Sequence, residues 1–193
     1  MFANLRADIH RKQEWFLKEK NWFVRNIRIF LEPGTIAVIV YRYGRWVYGL
    51  NIPVLKQFLN LFYLLGKVFV VLGLGIYIPV RANIGKGFVI HNFSGIFICE
   101  ATIGENFIVF QGVTIGHLRG QPTPPQLGNN VFLAAGCKVL GSLKIGNNVA
   151  VGANSVVVND IPDNCSVMGV PARIISRDTS WITDKLEGKG VNY

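Results

Sequence analysis

The sequence predicts a mainly-β protein whose larger part is a parallel β-helix preceded by a helical region. Three observations support this prediction: an aliphatic residue recurs at every sixth position in 127–157, the same spacing occurs earlier, and Gly or Asn follows many of these aliphatics. A period of six fits neither an α-helix nor two-residue alternation, whereas a fixed period is typical of stacked coils. Each aliphatic side chain then points inward and packs on its equivalents one coil above and below.

The repeat has an early run and a late run separated by irregular segments. Its corners need left-handed backbone, which Gly and Asn adopt at low cost. About five coils of about eighteen residues each fit between Ile78 and Arg173. We therefore predict a helical region at 1–75, a β-helix domain at 76–175 and a C-terminal tail at 176–193. The repeating aliphatics are Ile78, Ile84, Ile90 and Ile96, then Ile103, Val109 and Ile115, and finally Leu127, Leu133, Val139, Ile145, Val151 and Val157.

The region before the repeat predicts several helices. Residues 4–31 are amphipathic, and a Glu-Pro-Gly sequence at 32–34 ends that pattern before a further helix at 35–50. Residues 54–74 are strongly apolar but contain Lys56 and Lys67. A lysine inside a transmembrane span is costly. The sequence therefore favours a helix packed between helices or subunits, with a helix lying on a membrane surface as the main alternative and a spanning helix as the least favoured.

The charge of the chain is concentrated at its N-terminal end. Of the net charge of +9, residues 1–75 carry +7 and residues 76–193 carry +2. Such a basic region suits nucleic acid or an anionic membrane, but large apolar residues are interleaved with the cations. We therefore expect no nucleic acid and a peripheral contact at the inner face of the membrane.

The cysteines and the first residues bear on the compartment. Three cysteines without a CxxC spacing indicate a reducing environment. The first twenty residues mix acids and bases without an apolar run, which does not resemble a secretory signal. Both features predict a cytoplasmic protein.

Two of the three histidines interrupt the repeat. His91 follows Ile90 just before a one-residue slip, and His117 opens a Pro-containing excursion that occupies a whole six-residue slot. His10 lies among charged residues and predicts a solvated position. Interruptions of a regular scaffold often mark functional sites, although an exposed or hydrogen-bonded turn residue is the alternative for each. No carboxylate or thiol recurs at the spacing of metal ligands, so we expect no metal.

Several motifs within 79–173 resemble the hexapeptide-repeat acyltransferases, and most closely their serine acetyltransferase branch. These motifs are IHNFSGIFICEATIGEN, FQGVTIGH, LGNNVFLAAGCKVLG, IGNNVAVGANSVVVNDIP and GVPARII. The earlier stretch EPGTIAVIVYRYGRWVY is similar to the last helices before the β-helix in that branch. The resemblance implies a left-handed β-helix, a homotrimer, and acetyl-CoA as acyl donor in the groove between neighbouring prisms.

The same resemblance implies roles for individual residues. His91 matches the general base of the family, which would take the proton of an acceptor hydroxyl, with Glu100 and His117 as further catalytic candidates. Asn92, Gln111 and Arg119 are candidates for binding the acceptor. Small residues after the excursion, together with three cations for the phosphates, would bind the cofactor: Ala134, Ala135, Gly136, Lys144, Gly152, Ala153, Arg173 and Arg177.

The acceptor is predicted from departures from that branch. Serine acetyltransferases carry an aspartate immediately before the catalytic histidine and another about fifteen residues earlier, where this chain has Ile90 and Ile76. The excursion of that branch has an Arg-His pair, aligned here with Thr123 and Pro124. A sugar hydroxyl needs no counter-charge for an ammonium group, and the GH…PP loop resembles acetyltransferases of surface-polysaccharide assembly.

We therefore expect a carbohydrate acceptor, lipid-linked or nascent. Two alternatives remain open. One is a serine O-acetyltransferase of cysteine biosynthesis, and the other is a non-catalytic β-helix scaffold.

Overall fold

The computed structural model describes residues 2–16, 22–117, 120 and 123–186. Within these ranges the chain forms N-terminal helices, a parallel β solenoid of about five coils and a short C-terminal helix, which confirms the predicted fold class. The helices are α1 (Phe2–Phe16), α2 (Trp22–Leu31), α3 (Pro33–Tyr48), α4 (Pro53–Val68), which continues as a π-helical turn (Phe69–Gly73), and α5 (Ser180–Leu186).

Three sheets form the three faces of the prism, and we number them in the order in which the chain meets them. Sheet 1 contains β1 (Ile76–Tyr77), β4 (Ile96–Ile98), β7 (Thr114–Gly116), β10 (Lys138–Leu140) and β13 (Val156–Val157). Sheet 2 contains β2 (Asn83–Ile84), β5 (Thr102–Ile103), β8 (Gln126–Leu127) and β11 (Lys144–Ile145). Sheet 3 contains β3 (Val89–Ile90), β6 (Ile108–Val109), β9 (Val131–Leu133), β12 (Val149–Val151), β14 (Ser166–Met168) and β15 (Arg173–Ser176).

Every strand pairing is parallel except that of β14 with β15. The register places repeat aliphatics opposite one another, for example Ile90 opposite Val109 and Val109 opposite Leu133. These three side chains are completely buried. The period of six therefore stacks one aliphatic on the next along the axis of the prism.

One corner of the prism is built from a ladder of asparagines. The four asparagine residues have backbone φ angles between 54° and 59°, which is the left-handed conformation that this corner requires. Each amide donates to the next along the axis, at 2.9, 2.8 and 2.8 Å. Arg11 of α1 closes the ladder at its first coil, with Nη2 3.0 Å from Asn106 Oδ1. The ladder consists of Asn106, Asn130, Asn148 and Asn164.

Helix α3 seals the N-terminal end of the prism. Ala37, Val38 and Tyr41 belong to the same hydrophobic cluster as the β-helix core. The Tyr41 hydroxyl donates to the carbonyl of Ala82 at 2.8 Å and accepts from the Ile84 N–H at 3.2 Å. The core is therefore continuous between the helical region and the first coil.

Helix α4 has a different environment. No residue of Pro53–Val68 is buried. Together with its π-helical turn it forms a stretch of 21 residues, Pro53–Gly73, that is long and apolar enough to cross a membrane by length and composition. It contacts α3 on one side and exposes its other side.

Candidate functional site

His91 lies at the corner where the chain passes from sheet 3 to sheet 1, which we call the His91 corner. Strand β3 ends at Ile90, whose side chain points inward, so the next side chain turns outward. The His91 N–H donates to the Val109 carbonyl at 3.0 Å, which continues the ladder of sheet 3 by one residue. The imidazole is half-buried and meets the ring of Phe110 edge-on, with 4.9 Å between ring centroids.

Two of the predicted acceptor-binding residues meet at this corner. Asn92 Nδ2 donates to Gln111 Oε1 at 3.0 Å, although the two residues are 19 positions apart in the chain. Both follow a strand of sheet 3 by the same number of residues, so the stacking of the coils brings them together. The third residue, Arg119, lies outside the described residues.

Five of the predicted cofactor-binding residues continue the same corner along the prism axis. Ala134, Ala135 and Gly136 follow β9, and Gly152 and Ala153 follow β12. The Gly136 N–H donates to the Gln111 carbonyl at 2.8 Å, which fixes this coil directly above Gln111. With φ of +73°, Gly136 is so close to the next coil that an added Cβ would lie 2.1 Å from Asn154 Oδ1. These small residues leave a narrow surface on which backbone, rather than side chains, is presented.

Glu100 and His117 lie at a different corner, where the chain passes from sheet 1 to sheet 2. Glu100 follows β4 and His117 follows β7, the neighbouring strand. Glu100 is exposed and pairs with Arg81 at 3.7 Å, and His117 is exposed at the start of the excursion. Sheet 1 separates this corner from the His91 corner, and a three-residue strand alone spans about 10 Å. A single chain therefore does not bring these two candidates to His91.

The three predicted cations are also dispersed. Lys144 projects from sheet 2, where its N–H donates to Asp160 Oδ1 at 2.8 Å. Arg173 lies opposite Met168 in the β14–β15 pairing, and the Met168 side chain is the one nearest to Gly152. Arg177 follows the far end of β15. Of the three, only Arg173 lies near the small-residue surface of the His91 corner within one chain.

The cysteine thiols are unsuited to act as nucleophiles. Burial raises the pKa of Cys137 to about 12 and raises the pKa of Cys99, and the thiolate is the reactive form. Cys165 is buried as well. Among the described residues, no group of three or more His, Cys, Asp or Glu side chains could hold a metal ion. The chemistry available at the His91 corner is therefore that of an imidazole and its amide neighbours.

Two features of the site were missed by sequence reasoning. Lys138 projects from sheet 1 between the two corners, where Nζ donates to the Gly112 carbonyl at 2.6 Å and to Thr114 Oγ1 at 3.0 Å. An aromatic series also runs from His91 through Phe110 and Phe132 to Trp181 of α5, with centroid distances of 4.9, 5.2 and 5.5 Å. The signal for Lys138, Phe110 and Phe132 was their outward position within the six-residue repeat, whereas Trp181 of α5 lies beyond the repeat.

The structure also changes the comparison of this corner with the Asp-His pair of serine acetyltransferases. Ile90 and Ile76 are both completely buried in the core. An aspartate at either position would lie inside the prism, where an unpaired carboxylate is strongly disfavoured. The outward-facing pair at this corner is His91 and Asn92, and core packing alone accounts for isoleucine at positions 90 and 76.

Comparison with known proteins agrees with this fold. The family model described as bacterial transferase hexapeptide (six repeats) matches residues 124–159. A serine acetyltransferase from Synechococcus elongatus is 37% identical over 182 residues, which cover 92% of this chain and 70% of the relative. A serine acetyltransferase from Staphylococcus aureus is 45% identical over 108 residues, and the match spans only half of that relative.

Solved structures give the same result. The serine acetyltransferase of Brucella abortus in complex with coenzyme A has a TM-score of 0.77 at 26% identity, covering 92% of this chain and 68% of that one. The Neisseria gonorrhoeae enzyme in complex with serine has a TM-score of 0.75 at 26% identity, covering 91% and 69%. These matches confirm the predicted resemblance to hexapeptide-repeat acyltransferases and to their serine acetyltransferase branch, and they agree with acetyl-CoA as the predicted donor.

The predicted carbohydrate acceptor is wrong. The relatives and structures named above are serine acetyltransferases, not acetyltransferases of polysaccharide biosynthesis. The prediction relied on the isoleucines at positions 90 and 76, and both side chains belong to the prism core. The family alternative, serine O-acetylation, is the one that the comparisons favour.

Proposed function

Because this chain belongs to the serine acetyltransferase family, we propose that it transfers the acetyl group of acetyl-CoA to the hydroxyl of serine. The observation that carries this proposal is the 37% identity to the Synechococcus elongatus enzyme over 92% of the chain, which includes the His91 corner. The structure in complex with serine from Neisseria gonorrhoeae, with a TM-score of 0.75, supports the same acceptor.

His91 acts as the general base in this proposal. Its imidazole takes the proton of the serine hydroxyl while the oxygen attacks the thioester carbonyl carbon. The tetrahedral intermediate then collapses, the carbon–sulfur bond breaks, and the imidazolium returns its proton to the departing CoA thiolate. The edge-on contact with Phe110 holds the ring at the corner. Imidazole suits this role because its ordinary pKa lies near neutrality.

The acyl donor lies along the small-residue surface of the His91 corner. Ala134, Ala135 and Gly136 let the pantetheine arm approach the backbone, and Gly152 and Ala153 extend that path towards Arg173. The guanidinium of Arg173 would then pair with a CoA phosphate. The Brucella abortus structure, 26% identical and in complex with coenzyme A, supports a donor site in this fold.

A homotrimer completes the site in this proposal. Glu100 and His117 are separated from His91 by sheet 1 of their own chain, so a neighbouring prism is needed to bring such groups to the imidazole. The same groove would take the acetyl-CoA between two protomers. Light scattering should give the mass of three chains. To test the shared site, the activity of oligomers assembled from a mixture of H91A and H117A chains would be compared with the activity of each variant alone.

We propose a cytoplasmic location because the cysteine thiols are free. Cys99, Cys137 and Cys165 are free and buried, which fits a reducing environment such as the cytoplasm. Acetyl-CoA and serine are both available there.

The direct test is CoA release from acetyl-CoA with L-serine as acceptor, with O-acetylserine identified by mass spectrometry. We expect serine-dependent release, and we expect H91A to lower kcat by about 100- to 10,000-fold while the oligomer persists. His10→Ala is the matched control, because His10 is an exposed histidine on α1 that pairs with Glu14 at 3.4 Å. Acetyl-CoA binding without any serine-dependent turnover would overturn the acceptor, and full activity in H91A would overturn the base.

A further inference from the structure

The outward face of α4 and its π-helical turn is almost wholly apolar. Side chains spaced three or four residues apart form a continuous stripe, and several are largely exposed: Val54 at 80%, Phe58 at 60%, Leu65 at 61% and Leu72 at 80%. Contiguous apolar surface of this extent marks an interaction site. We call this surface the α4 face; it consists of Val54, Leu55, Phe58, Leu61, Phe62, Leu64, Leu65, Val68, Phe69 and Leu72.

The opposite side of the helix is fixed to α3 by close contacts. The Tyr43 hydroxyl donates to the Leu59 carbonyl at 3.0 Å. Gly44 lies against the Tyr63 ring, since an added Cβ would be 2.2 Å from Tyr63 Cε2, and Gly66 faces Val40 in the same way at 3.2 Å. These contacts leave no freedom to rotate the apolar side inward. The α4 face is therefore exposed by the packing itself.

The charge around the α4 face has one sign. No acidic residue occurs between Glu32 and Glu100, whereas six cations do. Arg42 is neutralised by Asp8, and Arg81 and Lys86 pair with Glu100 and Glu105. The remaining three, Arg45, Lys56 and Lys67, lie on or beside the helix.

Lysines and aromatic residues border the apolar stripe. Lys56 and Lys67 lie on the half-buried side of α4 and reach over the rings of Tyr48 and Tyr77, at 5.4 and 5.6 Å. Trp46 and Tyr48, at the end of α3, are exposed as well. An apolar face bordered by cations and by amphipathic aromatic rings is typical of helices that lie in a membrane interface.

We propose that the α4 face rests on an anionic lipid surface, with the helix in the plane of the interface and its apolar side chains inserted about 5–10 Å. Charge favours lipid over the packing of this face on the same face of a second copy. Two such faces packed together would juxtapose like charges without a carboxylate to offset them, whereas anionic lipid attracts each cation. The β-helix would then stand on the cytoplasmic side of the membrane with its site in solution.

Flotation of the full chain with vesicles tests this inference. Vesicles of phosphatidylcholine with a quarter phosphatidylglycerol should bind the protein, and pure phosphatidylcholine vesicles should bind at least several-fold less. The double variant L61E/L65E should lower partitioning at least tenfold, and Lys67→Gln should lower it roughly fivefold. Val158→Glu is the control for an added carboxylate, because it places one such charge on an exposed aliphatic (43%) of the β-helix.

Two results would overturn the inference: failure of the wild-type chain to bind anionic vesicles, or undiminished binding by the double variant. Undiminished binding together with dissociation of an oligomer by that variant would show that a second copy covers the α4 face. Leu65→Gln, a milder change, replaces the double variant if circular dichroism shows that the latter is unfolded. Serine-dependent CoA release in solution should persist in each variant, so a failure of this inference is distinguishable from a failure of the proposed function.

Discussion

Arg42 and Asp8 form a buried, two-pronged ion pair that joins α1, α3 and the β-helix. Arg42 Nε lies 2.7 Å from Asp8 Oδ2, and Nη2 lies 3.1 Å from Oδ1. Two further guanidinium N–H groups donate to the carbonyls of Ile84 and Gly85 at 2.7 and 2.6 Å, and the Phe88 N–H donates to Asp8 at 2.8 Å. The pair therefore satisfies the polar groups of the first coil where the helices cover it.

Replacing Arg42 with methionine should destabilise the protein by about 3–5 kcal/mol, because Asp8 would be left buried and unpaired. Chemical denaturation monitored by circular dichroism measures this loss. Arg45→Met is the matched control, since Arg45 makes only peripheral contacts, with Nη2 3.2 Å from Asn83 Oδ1, and should cost less than about 1 kcal/mol. Equal losses in the two variants would contradict a special role for the buried pair.

Lys12 should make stability depend on pH in the alkaline range. It is 3% exposed, and burial lowers its pKa from 10.5 to about 8, opposed by Glu32 at 3.8 Å. Between pH 8 and 10.5 the unfolded chain keeps a proton on Lys12 that the folded protein has lost. The cost of burying the charged lysine therefore lowers stability in full below pH 8, and this cost falls as the pH rises to 10.5. Lys12→Met should therefore be more stable than wild type by up to about 3 kcal/mol at pH 7.

The measurement is the free energy of unfolding of both proteins from pH 7 to 10.5. The difference between them should shrink across the window from 8 to 10.5. Comparison with the variant is needed because burial raises the pKa of Cys137 to about 12, an effect that lowers stability above pH 9 in both proteins. A constant difference for Lys12→Met would refute the assignment.

Substitutions in the asparagine ladder should distinguish the cost of backbone strain from the loss of hydrogen bonds. Asn130 has φ of 57° and both donates to and accepts from neighbouring asparagines. Asn130→Gly removes the hydrogen bonds but tolerates this backbone, whereas Asn130→Ala also adds the cost of a left-handed alanine, about 1 kcal/mol. The glycine variant should therefore unfold at a higher denaturant concentration than the alanine variant. The reverse order would mean that the strain lies elsewhere.

The coil architecture could be predicted from sequence because its determinant is local and repeated. Each aliphatic in the series from Ile78 to Val157 marks one inward position, so its period alone gives the number of coils. The corner chemistry is local in the same way, and Asn106 and Asn130 adopt the left-handed backbone that their type favours. The excursion after His117 was also visible, as a missing aliphatic.

The site could be predicted only in part because it depends on contacts between coils and on which way a side chain faces. His91, Asn92 and Gln111 meet because their coils are in register, but nothing in the sequence separates Glu100 from them by a face of the prism. Ile90 was compared with an acceptor-facing aspartate although it points into the core. The pairing of Arg42 with Asp8, 34 residues apart, has no local signature at all.

The outward pair His91–Asn92 suggests a way to add a carboxylate beside the base. Asn92→Asp is nearly isosteric, and the Gln111 amide, now 3.0 Å from Asn92 Nδ2, can rotate to donate to the new carboxylate. That charge would lie next to His91 and offset the ammonium group of serine. We expect KM for serine to fall by up to about fivefold, as for a solvent-accessible ion pair, with KM for acetyl-CoA unchanged. Asn92→Leu, which removes the amide without adding charge, should raise KM for serine; a lower KM in both variants would show that the amide merely obstructs the site.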